Sequence, residues 1–374
     1  MSVRVFALPA LPEYAAATRY RMLQYVPLLA ELGIDVDVRP FLTNRAFAGL
    51  YDRTRALRTA LGVAAGTGRR VADAVRLGSY DLVWVQRESA LIGPPVLEWL
   101  AHRRSALVLD LDDATYLAQP GSVYGAFASM LKGPAKVERV IGWSEHAICG
   151  SPTVAAYVGA KGVPTTVLPT LVDTGRFTPR PASANADVSA EASAKADLVV
   201  GWMGTHSTFA YLLALMPVFQ RLAAAHRFRL SIIGSGRTAL QADGVTVDLR
   251  PWSMEREVED LQSYDLAVYP LPSDEWAQGK SGFKAIQYLS CGIPYVASPV
   301  GIVANIGTPG VTHFEARTDE EWFAALSRLL TDAGVRRRMG QAGRCYAVEQ
   351  YSTRRAAATL AEVFRTVAGR RRAT

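Results

Sequence analysis

The stretch that decides the fold lies in the last third of the chain and reads GKSGFKAIQYLSCGIPYVASPVG from Gly279 to Gly301. It predicts a polar loop, a helix that ends at a glycine, and a buried strand that ends in a turn. Lys280 lies one turn before Lys284, at the helix start, where free N–H groups and the positive end of the helix dipole also lie. Gln287 lies three residues after Lys284, near the same helix face. This combination predicts a site for a diphosphate, with Gln287 near ribose hydroxyls.

Outside this stretch, short apolar runs alternate with segments of helix length. The runs Val3–Leu8, Leu82–Val85, Leu198–Trp202 and Leu266–Tyr269 do not alternate strictly between polar and apolar residues, as is typical of parallel strands buried on both faces. Segments such as Ser207–His226 predict the helices between them. Strands that alternate with helices predict βαβ units, and therefore an α/β fold with doubly wound parallel sheets.

The composition of the chain changes between residues 179 and 195, where Pro, Ala, Ser and Asn are frequent and large apolar residues are scarce. Such a stretch predicts an exposed linker or surface loop. A chain of 374 residues suits two domains of ordinary size. We therefore expect two α/β domains in series, with the boundary near Asp173.

Two glycine turns follow predicted strands of the second half. Residues 199–208 read VVGWMGTHST, and residues 232–236 read IIGSG. A Gly-x-x-Gly turn after a buried strand lets the backbone approach a phosphate. The first turn lacks the GxGxxG fingerprint of dinucleotide-binding domains, which argues against a dehydrogenase.

Together these segments resemble the C-terminal domain of GT-B glycosyltransferases, in particular the large retaining group called family 4 or glycosyltransferase group 1. Residues 291–298, CGIPYVAS, are similar to the family's helix end and strand. Residues 201–205 resemble a subgroup with Gly-Trp-x-Gly-Ser/Thr, and residues 169–177 resemble the family's interdomain connection, Pro-x-x-Val-Asp-x-x-x-Phe.

The resemblance implies a GT-B fold, in which two Rossmann-like, doubly wound parallel-sheet domains face a cleft. The acceptor domain would cover residues 1–173, joined by a C-terminal helix over 353–374, and the donor domain would cover residues 174–352. The implied activity is that of a hexosyltransferase of polysaccharide biosynthesis. It would move a sugar from a nucleotide-diphospho-sugar to a hydroxyl of a glycan, a lipid-linked saccharide or a small molecule. We expect retention of anomeric configuration, and neither a bound metal nor another cofactor.

The chain departs from the family at two glutamates spaced eight residues apart, where it has Gly279 and Gln287. Many family members also carry a basic pair just after the first glycine turn, and here Lys280 and Lys284 supply that charge. These replacements leave the donor sugar open. They also motivate an alternative function, that of a degenerate GT-B protein that binds a nucleotide or glycan without turnover.

The candidate site residues fall into three sets. The predicted catalytic charges, which would stabilise the departing diphosphate, are Lys280 and Lys284. The predicted donor contacts are Gly204, Thr205, His206, Gly234, Trp252, Ser281, Gly282, Phe283 and Gln287. The predicted acceptor contacts follow strands of the first domain, because ligands bind at the carboxyl ends of parallel strands, and they are Arg19, Arg21, Arg87 and Asp113. Core packing is the alternative for Trp252, and a solvated position is the alternative for His206 and for the two arginines after the first strand.

The run Asp110-Leu111-Asp112-Asp113 suggests a different chemistry. A DxD pair could bind Mg²⁺ in a GT-A transferase or open a haloacid-dehalogenase-type phosphatase. The phosphatase motif requires a threonine at the position of Ala114. We expect these carboxylates to bind sugar hydroxyls or local backbone instead. The five histidines lack metal-ligand spacing, and the three scattered cysteines predict neither a disulfide nor a zinc site.

The net charge of +7 is concentrated in two stretches. Residues 44–76 hold seven Arg and two Asp, and residues 354–374 hold six Arg and one Glu, so each carries a net +5. Two basic patches fit either peripheral contact with an anionic membrane or simple solvated faces. No aromatic-rich basic motif predicts a nucleic-acid partner. The sequence shows neither a secretory signal nor an apolar run long enough to span a bilayer, so we expect a cytoplasmic protein.

Overall fold

The computed structural model describes residues 2–50, 56–117, 134–181 and 197–373. Most of the predicted linker, from residue 182 onward, lies outside the described residues. In chain order the elements are β1 (Val3–Pro9), α1 (Ala16–Arg21), α2 (Val26–Glu31), β2 (Ile34–Val38), α3 (Asn44–Ala48), α4 (Ala56–Arg76), β3 (Leu82–Gln86), α5 (Val96–Arg104), β4 (Ala106–Leu111), α6 (Pro134–Trp143), β5 (His146–Cys149), α7 (Pro152–Gly159), β6 (Thr165–Val167), β7 (Leu198–Met203), α8 (Phe209–Leu213), α9 (Met216–Ala225), β8 (Phe228–Ile233), β9 (Thr246–Arg250), α10 (Glu257–Gln262), β10 (Leu266–Tyr269), α11 (Glu275–Gln278), α12 (Phe283–Ser290), β11 (Tyr295–Ala297), β12 (Phe314–Glu315), α13 (Asp319–Thr331), α14 (Ala333–Gln350) and α15 (Thr353–Ala373).

Contacts divide the chain into two units. The first unit comprises Met1–Leu171, Gln278–Ser281 and Thr353–Thr374, and the second comprises Val172–Ala277 and Gly282–Ser352. The short segment Gln278–Ser281 therefore belongs by its contacts to the first unit, although the chain on both sides of it belongs to the second. The division of roles between an acceptor domain and a donor domain stays a prediction.

The first unit is built on a six-stranded sheet in the order β2-β1-β3-β4-β5-β6, and every neighbouring pair is parallel. The central strands β3 and β4 are buried along their length because helices cover both faces of such a sheet. The helix α15 packs on this sheet: the Phe364 ring meets the Trp84 ring edge-on with 5.1 Å between centroids. The strand order reverses between β1 and β3, which makes this the topological switch point of the unit.

The second unit repeats the architecture with a parallel sheet in the order β12-β11-β10-β7-β8-β9. Its core gathers large side chains of β7, α9 and α13, among them Trp202, Phe219 and Trp322, which are almost fully buried. The strand order reverses between β7 and β10. Ligands of doubly wound sheets bind outside the carboxyl ends of the strands at such a switch point.

The predicted α/β fold class is confirmed, with two corrections in detail. The single helix predicted over Ser207–His226 is two helices, α8 and α9, because Pro217 lacks the N–H of a helix interior and instead occupies the first turn of α9. The two-residue strand β12 was not predicted. Within the described residues, no helix is both long and apolar enough to cross a membrane.

Candidate functional site

The turns after β7 and β8 lie against each other at the carboxyl edge of the second sheet. The Gly204 N–H donates to the Ile233 carbonyl at 2.9 Å, and the Gly234 N–H donates to the Arg250 carbonyl at 3.0 Å. A side chain at Gly204 would overlap the Trp202 ring. Gly234 has a left-handed φ of 82°, and a side chain there would overlap the Gly204 carbonyl oxygen. Both positions therefore require glycine, and they leave backbone uncovered by side chains at the edge of the sheet.

The loop after Gly204 is closed by short polar contacts. Thr205 is exposed, and its hydroxyl lies 2.8 Å from that of Ser207. His206 is half-buried, and this desolvation lowers its pKa, so its ring is neutral at pH 7. Trp252 is also half-buried and borders Gly234: its Cβ lies 3.2 Å from the position of a Cβ on that glycine. The loop thus offers neutral polar groups and an aromatic ring beside the two glycine turns.

The helix α12 begins at the same edge of the sheet. Gly282 precedes it with a left-handed φ of 69° and, having no side chain, does not cap the helix start itself. A side chain at Gly282 would overlap Ile306, so the turn into the helix requires glycine for two reasons. Phe283, the first residue of the helix, is half-buried. The first turn of a helix carries the positive end of the helix dipole.

Lys284 lies at the switch point of the second unit. Its ammonium nitrogen is 5.3 Å from the centroid of the Tyr269 ring, at the end of β10, and 5.8 Å from that of Trp202, near the end of β7. Both distances are in the range of cation–π contacts, which hold the charge in place. Trp202 also lies beneath Gly204, so the lysine, the glycine turns and the helix start belong to one neighbourhood. This neighbourhood has the groups that bind a diphosphate.

Gln287, which was predicted to lie near ribose hydroxyls, has a hydrogen-bond partner inside the second unit. Its side chain is buried, and its Nε2 donates to a carboxylate oxygen of Glu257, the first residue of α10, at 3.4 Å. Glu257 is equally buried, with 2% of its surface exposed. The sequence reasoning missed Glu257, because only the fold brings residues thirty positions apart together. The ribose contact of Gln287 stays a prediction.

Lys280 and Ser281 belong by contacts to the first unit. The Lys280 Nζ lies 3.6 Å from a carboxylate oxygen of Asp113. Ser281 is buried, and the carbonyl of Gly279 accepts a hydrogen bond from the Ser151 hydroxyl at 3.2 Å. Of the two predicted catalytic lysines, the structure therefore places one at the switch point of the second sheet and the other beside Asp113. The catalytic roles themselves stay predictions.

Arg87 and Asp113 meet at the carboxyl edge of the first sheet. Arg87 donates to Asp112 at 2.6 Å and to Asp113 at 3.3 Å. Its φ of 57° is the only left-handed value at a non-glycine residue in the described part of the chain. Burial alone would raise the pKa of Asp112, but the ion pair and hydrogen bonds with Arg87 hold it below its usual value. These groups form a charged cluster with Lys280, as a polar ligand would require.

Arg19 and Arg21, the other predicted acceptor contacts, are buried inside the first unit. Arg21 makes a two-point ion pair with Asp110, at 2.6 and 3.2 Å, and donates to the Leu168 carbonyl at 2.6 Å. Burial raises the pKa of Asp110 to about 6, although the ion pair opposes the shift. Arg19 donates to the Glu13 carbonyl at 3.1 Å and lies 4.7 Å from the centroid of the Tyr20 ring. In this structure both arginines serve the packing of the unit.

The same contacts bear on the alternative chemistry of the aspartate run. Asp110 and Asp112 each accept two hydrogen bonds from an arginine side chain. In the described ranges, no three His, Cys, Asp or Glu side chains are grouped so that they could hold a metal ion.

The fold and the site have counterparts among known proteins. Residues 197–332 match the family model described as Glycosyl transferases group 1. The solved structures similar to the whole chain include sucrose-phosphate synthase from Thermosynechococcus elongatus, with a TM-score of 0.65 and 16% identity over 97% of this chain and 99% of that one. HepE from Anabaena in complex with UDP and glucose matches with a TM-score of 0.64 and 14% identity over 97% and 99% of the two chains. A glycosyltransferase from Rickettsia africae matches with a TM-score of 0.66 and 11% identity over 98% of each chain.

These similarities define the class of protein. The chain has the GT-B fold of glycosyltransferases, with two Rossmann-like units of parallel sheet, as predicted. Its second unit is similar to the glycosyl transferases group 1 family over nearly the whole sheet. No curated protein sequence matches the chain.

Proposed function

We propose that this protein is a glycosyltransferase that moves a sugar from a nucleotide-diphospho-sugar to a hydroxyl acceptor. One observation carries the proposal: Lys284, the two glycine turns and the start of α12 share the switch point of a sheet that matches a glycosyltransferase family. In a transfer of this kind, the largest catalytic term is stabilisation of the diphosphate that leaves the sugar.

In the proposed reaction Lys284 lies over the diphosphate, and the backbone of the Gly204–Thr205 turn approaches it closely because Gly204 has no side chain. The neutral ring of His206 contacts the donor without adding charge, and Trp252 flanks the base. Because Lys284 and the positive end of the α12 dipole stabilise negative charge on the leaving group, we propose that turnover needs no metal ion. Retention of anomeric configuration is the part of the proposal that rests on the family resemblance.

Binding of the nucleotide is the first step to test. A ligand at a hundred times its Kd raises the stability of the folded protein by about 2.7 kcal/mol, so it raises the melting temperature. We would screen UDP, GDP and dTDP and their sugars by thermal shift, beginning with UDP-glucose because HepE was crystallised with it. A chain that responds to none of these compounds would contradict the proposal.

The variant Lys284→Met separates charge from packing. Methionine keeps the aliphatic stem beside Trp202 and Tyr269 but removes the ammonium group. Loss of a charge-assisted hydrogen bond is worth about 1.5–3 kcal/mol, so we expect the Kd of the nucleotide to rise by about 10- to 100-fold. The control is Lys161→Met, since Lys161 lies at the surface of the first unit, paired with Glu138 at 2.6 Å. Equal affinities of the two variants would show that Lys284 does not bind the diphosphate.

The finer features of the reaction need a turnover assay. Unchanged rates in EDTA would support metal independence, whereas loss in EDTA and recovery with Mg²⁺ would contradict it. The anomeric configuration of the first product, read by NMR, would support or contradict retention.

A second candidate function is nucleotide or glycan binding without turnover. It is favoured by the residues at the two family glutamate positions. A side chain at Gly279 would overlap Ala114, and Gln287 is hydrogen-bonded to buried Glu257. Nucleotide binding that depends on Lys284, combined with no turnover of any sugar nucleotide, would favour this function over the first.

A further inference from the structure

The helix α4 presents its apolar side to solvent. Leu57, Leu61, Val71 and Val75 are exposed by 76, 64, 68 and 83%. At 100° per residue these four side chains fall within an arc of about 80° on the helix, and they extend over about 27 Å of its length. An amphipathic helix of a water-soluble domain normally turns such a stripe toward the core.

The opposite side of α4 is polar, and it is the buried side. Arg70 is 6% exposed and donates to the carbonyls of Ser89 at 2.7 Å, Pro9 at 3.0 Å and Arg39 at 2.9 Å. It also pairs with Asp73 at 2.8 Å. These polar contacts, together with the packing of Val63 and Ala74 on the core, hold α4 on the first unit, and the exposed apolar stripe is not used for packing.

The neighbouring helix α5 buries Leu97 and Ala101 together with a carboxylate and leaves other apolar side chains exposed. Its only carboxylate, Glu98, is 2% exposed and accepts a hydrogen bond from the Ser89 N–H at 2.9 Å. Val96 and Trp99 on this helix are 53 and 44% exposed. Arg104 donates to the Ala74 carbonyl of α4 at 3.3 Å, which places the two helices side by side. We call the four exposed residues of α4, together with Val96 and Trp99, the apolar face.

The exposed charges on α4 and α5 themselves are all positive. Each of the two helices has a single acidic residue, and both of these carboxylates are buried and hydrogen-bonded. Four arginines of these helices, Arg58, Arg76, Arg103 and Arg104, are exposed, and Asp37 of β2 lies 3.9 Å from Arg76. The C-terminal helix adds Arg371, which donates to the Arg103 carbonyl at 3.0 Å. The two basic stretches of the sequence thus meet next to the apolar face.

We propose that the apolar face docks the protein on an anionic lipid bilayer. A helix that lies in the bilayer interface places apolar side chains among the acyl chains and arginines at the headgroups. Trp99 suits the interface because tryptophan is enriched there. Each arginine near an anionic surface adds to the attraction, and the two helices expose no carboxylate that would oppose it. The proposal is independent of the nature of the transferred sugar.

Vesicle flotation tests the proposal on the full chain. We expect the protein to float with vesicles of phosphatidylcholine and phosphatidylglycerol, and much less with phosphatidylcholine alone. The double variant Leu61→Ser/Val71→Ser should lower the partition coefficient at least about tenfold, because burying one such side chain contributes more than the equivalent of a tenfold change. The control variant Leu213→Ser/Val348→Ser changes side chains of the second unit that are 36 and 49% exposed, and it should bind as the unmodified protein does.

A site-specific probe distinguishes insertion from surface attraction. In a Cys345→Ser background, an environment-sensitive fluorophore at Val71→Cys should shift to the blue with anionic vesicles, and the same fluorophore at Val348→Cys should not. Arg58→Gln/Arg103→Gln should weaken binding to anionic vesicles and make it less sensitive to salt.

Three outcomes would overturn the proposal. The first is that the protein does not bind anionic vesicles. The second is that vesicle binding falls equally in Leu61→Ser/Val71→Ser and in its control. The third is that the protein forms a concentration-dependent dimer without lipid, and that Leu61→Ser/Val71→Ser abolishes this dimer. The last outcome would mean that the apolar face contacts a second copy of the chain. Because all substituted side chains are exposed, melting temperatures and nucleotide binding of the variants should match those of the unmodified protein.

Discussion

Arg70 is the residue whose replacement should most disturb the first unit. Its guanidinium group donates hydrogen bonds to three backbone carbonyls at or just after the ends of β1, β2 and β3, those of Pro9, Arg39 and Ser89. It also neutralises the charge of Asp73. Burial lowers the pKa of Arg70, and the ion pair with Asp73 opposes that shift. The variant Arg70→Met removes all these contacts while it keeps most of the apolar volume of the side chain.

The expected loss can be worked from the contacts. Breaking a buried ion pair from one side costs about 3–5 kcal/mol, because it leaves the other charge buried and unpaired. Asp73 is 2% exposed, so it would be left in that state. The double variant Arg70→Met/Asp73→Leu removes both charges but leaves three carbonyls without their donor, at about 1 kcal/mol each. Because Arg70→Met leaves the same three carbonyls without their donor, we expect it to lose about 6–8 kcal/mol, and the double variant should recover the part that comes from the unpaired charge, about 3–5 kcal/mol.

Urea unfolding of the full chain, followed by circular dichroism, measures both losses as shifts of the transition midpoint. Arg139→Met is the matched control, because Arg139 is an exposed arginine on α6 of the same unit, and it should change stability by less than about 0.5 kcal/mol. A loss below about 1 kcal/mol for Arg70→Met would refute the reasoning. So would a double variant less stable than the single one, since the penalty would then not come from an unpaired charge.

Two further predictions concern the second unit. Gly234→Ala should lower nucleotide affinity at least about tenfold, because its new methyl group would displace the Gly204 carbonyl. Gly244→Ala is the control: it has the same left-handed strain but no neighbour within 4 Å, so nucleotide affinity should be unchanged. Equal affinities would exclude this turn from the nucleotide site. Burial lowers the pKa of His313 to about 4 from 6.5. Between these two values the unfolded chain binds a proton that the folded protein does not, so the free energy of unfolding should fall by about 3 kcal/mol as the pH drops from 6.5 to 4. His313→Gln should abolish that part of the acid loss in unfolding titrations, and His226→Gln should not; parallel titration curves for all three proteins would contradict this assignment.

The fold was predictable because its determinants are local. Short apolar runs without alternation marked the long strands of both sheets, since parallel strands are buried on both faces. The errors also have local causes. The helical pattern of Ser207–His226 continues across Pro217, but the missing N–H starts a new helix there. β12 has two residues, too few for any periodicity to appear.

The site was predictable where one segment supplies it. The spacing of Lys284 from the glycine loop fixed its place at a helix start, and the strand order then put that start at the switch point. The arginines after β1 show the limit of this reasoning. Arg21 meets Asp110 from a position 89 residues away, and only the folded sheet decides that this guanidinium is buried and paired. The same holds for the inverted face of α4, where periodicity reveals a stripe but not which way it points.

Local packing explains why the chain has Gly279 and Gln287 at the positions of the two motif glutamates. A larger residue at position 279 would displace Ala114, so the packing around this position requires glycine. A carboxylate still lies beside the second position: Glu257 of α10 is 3.4 Å from Gln287, and both side chains are buried. Two buried carboxylates at that distance would repel each other, whereas an amide donates to a carboxylate. A glutamine at 287 is therefore the neutral partner that suits a buried Glu257.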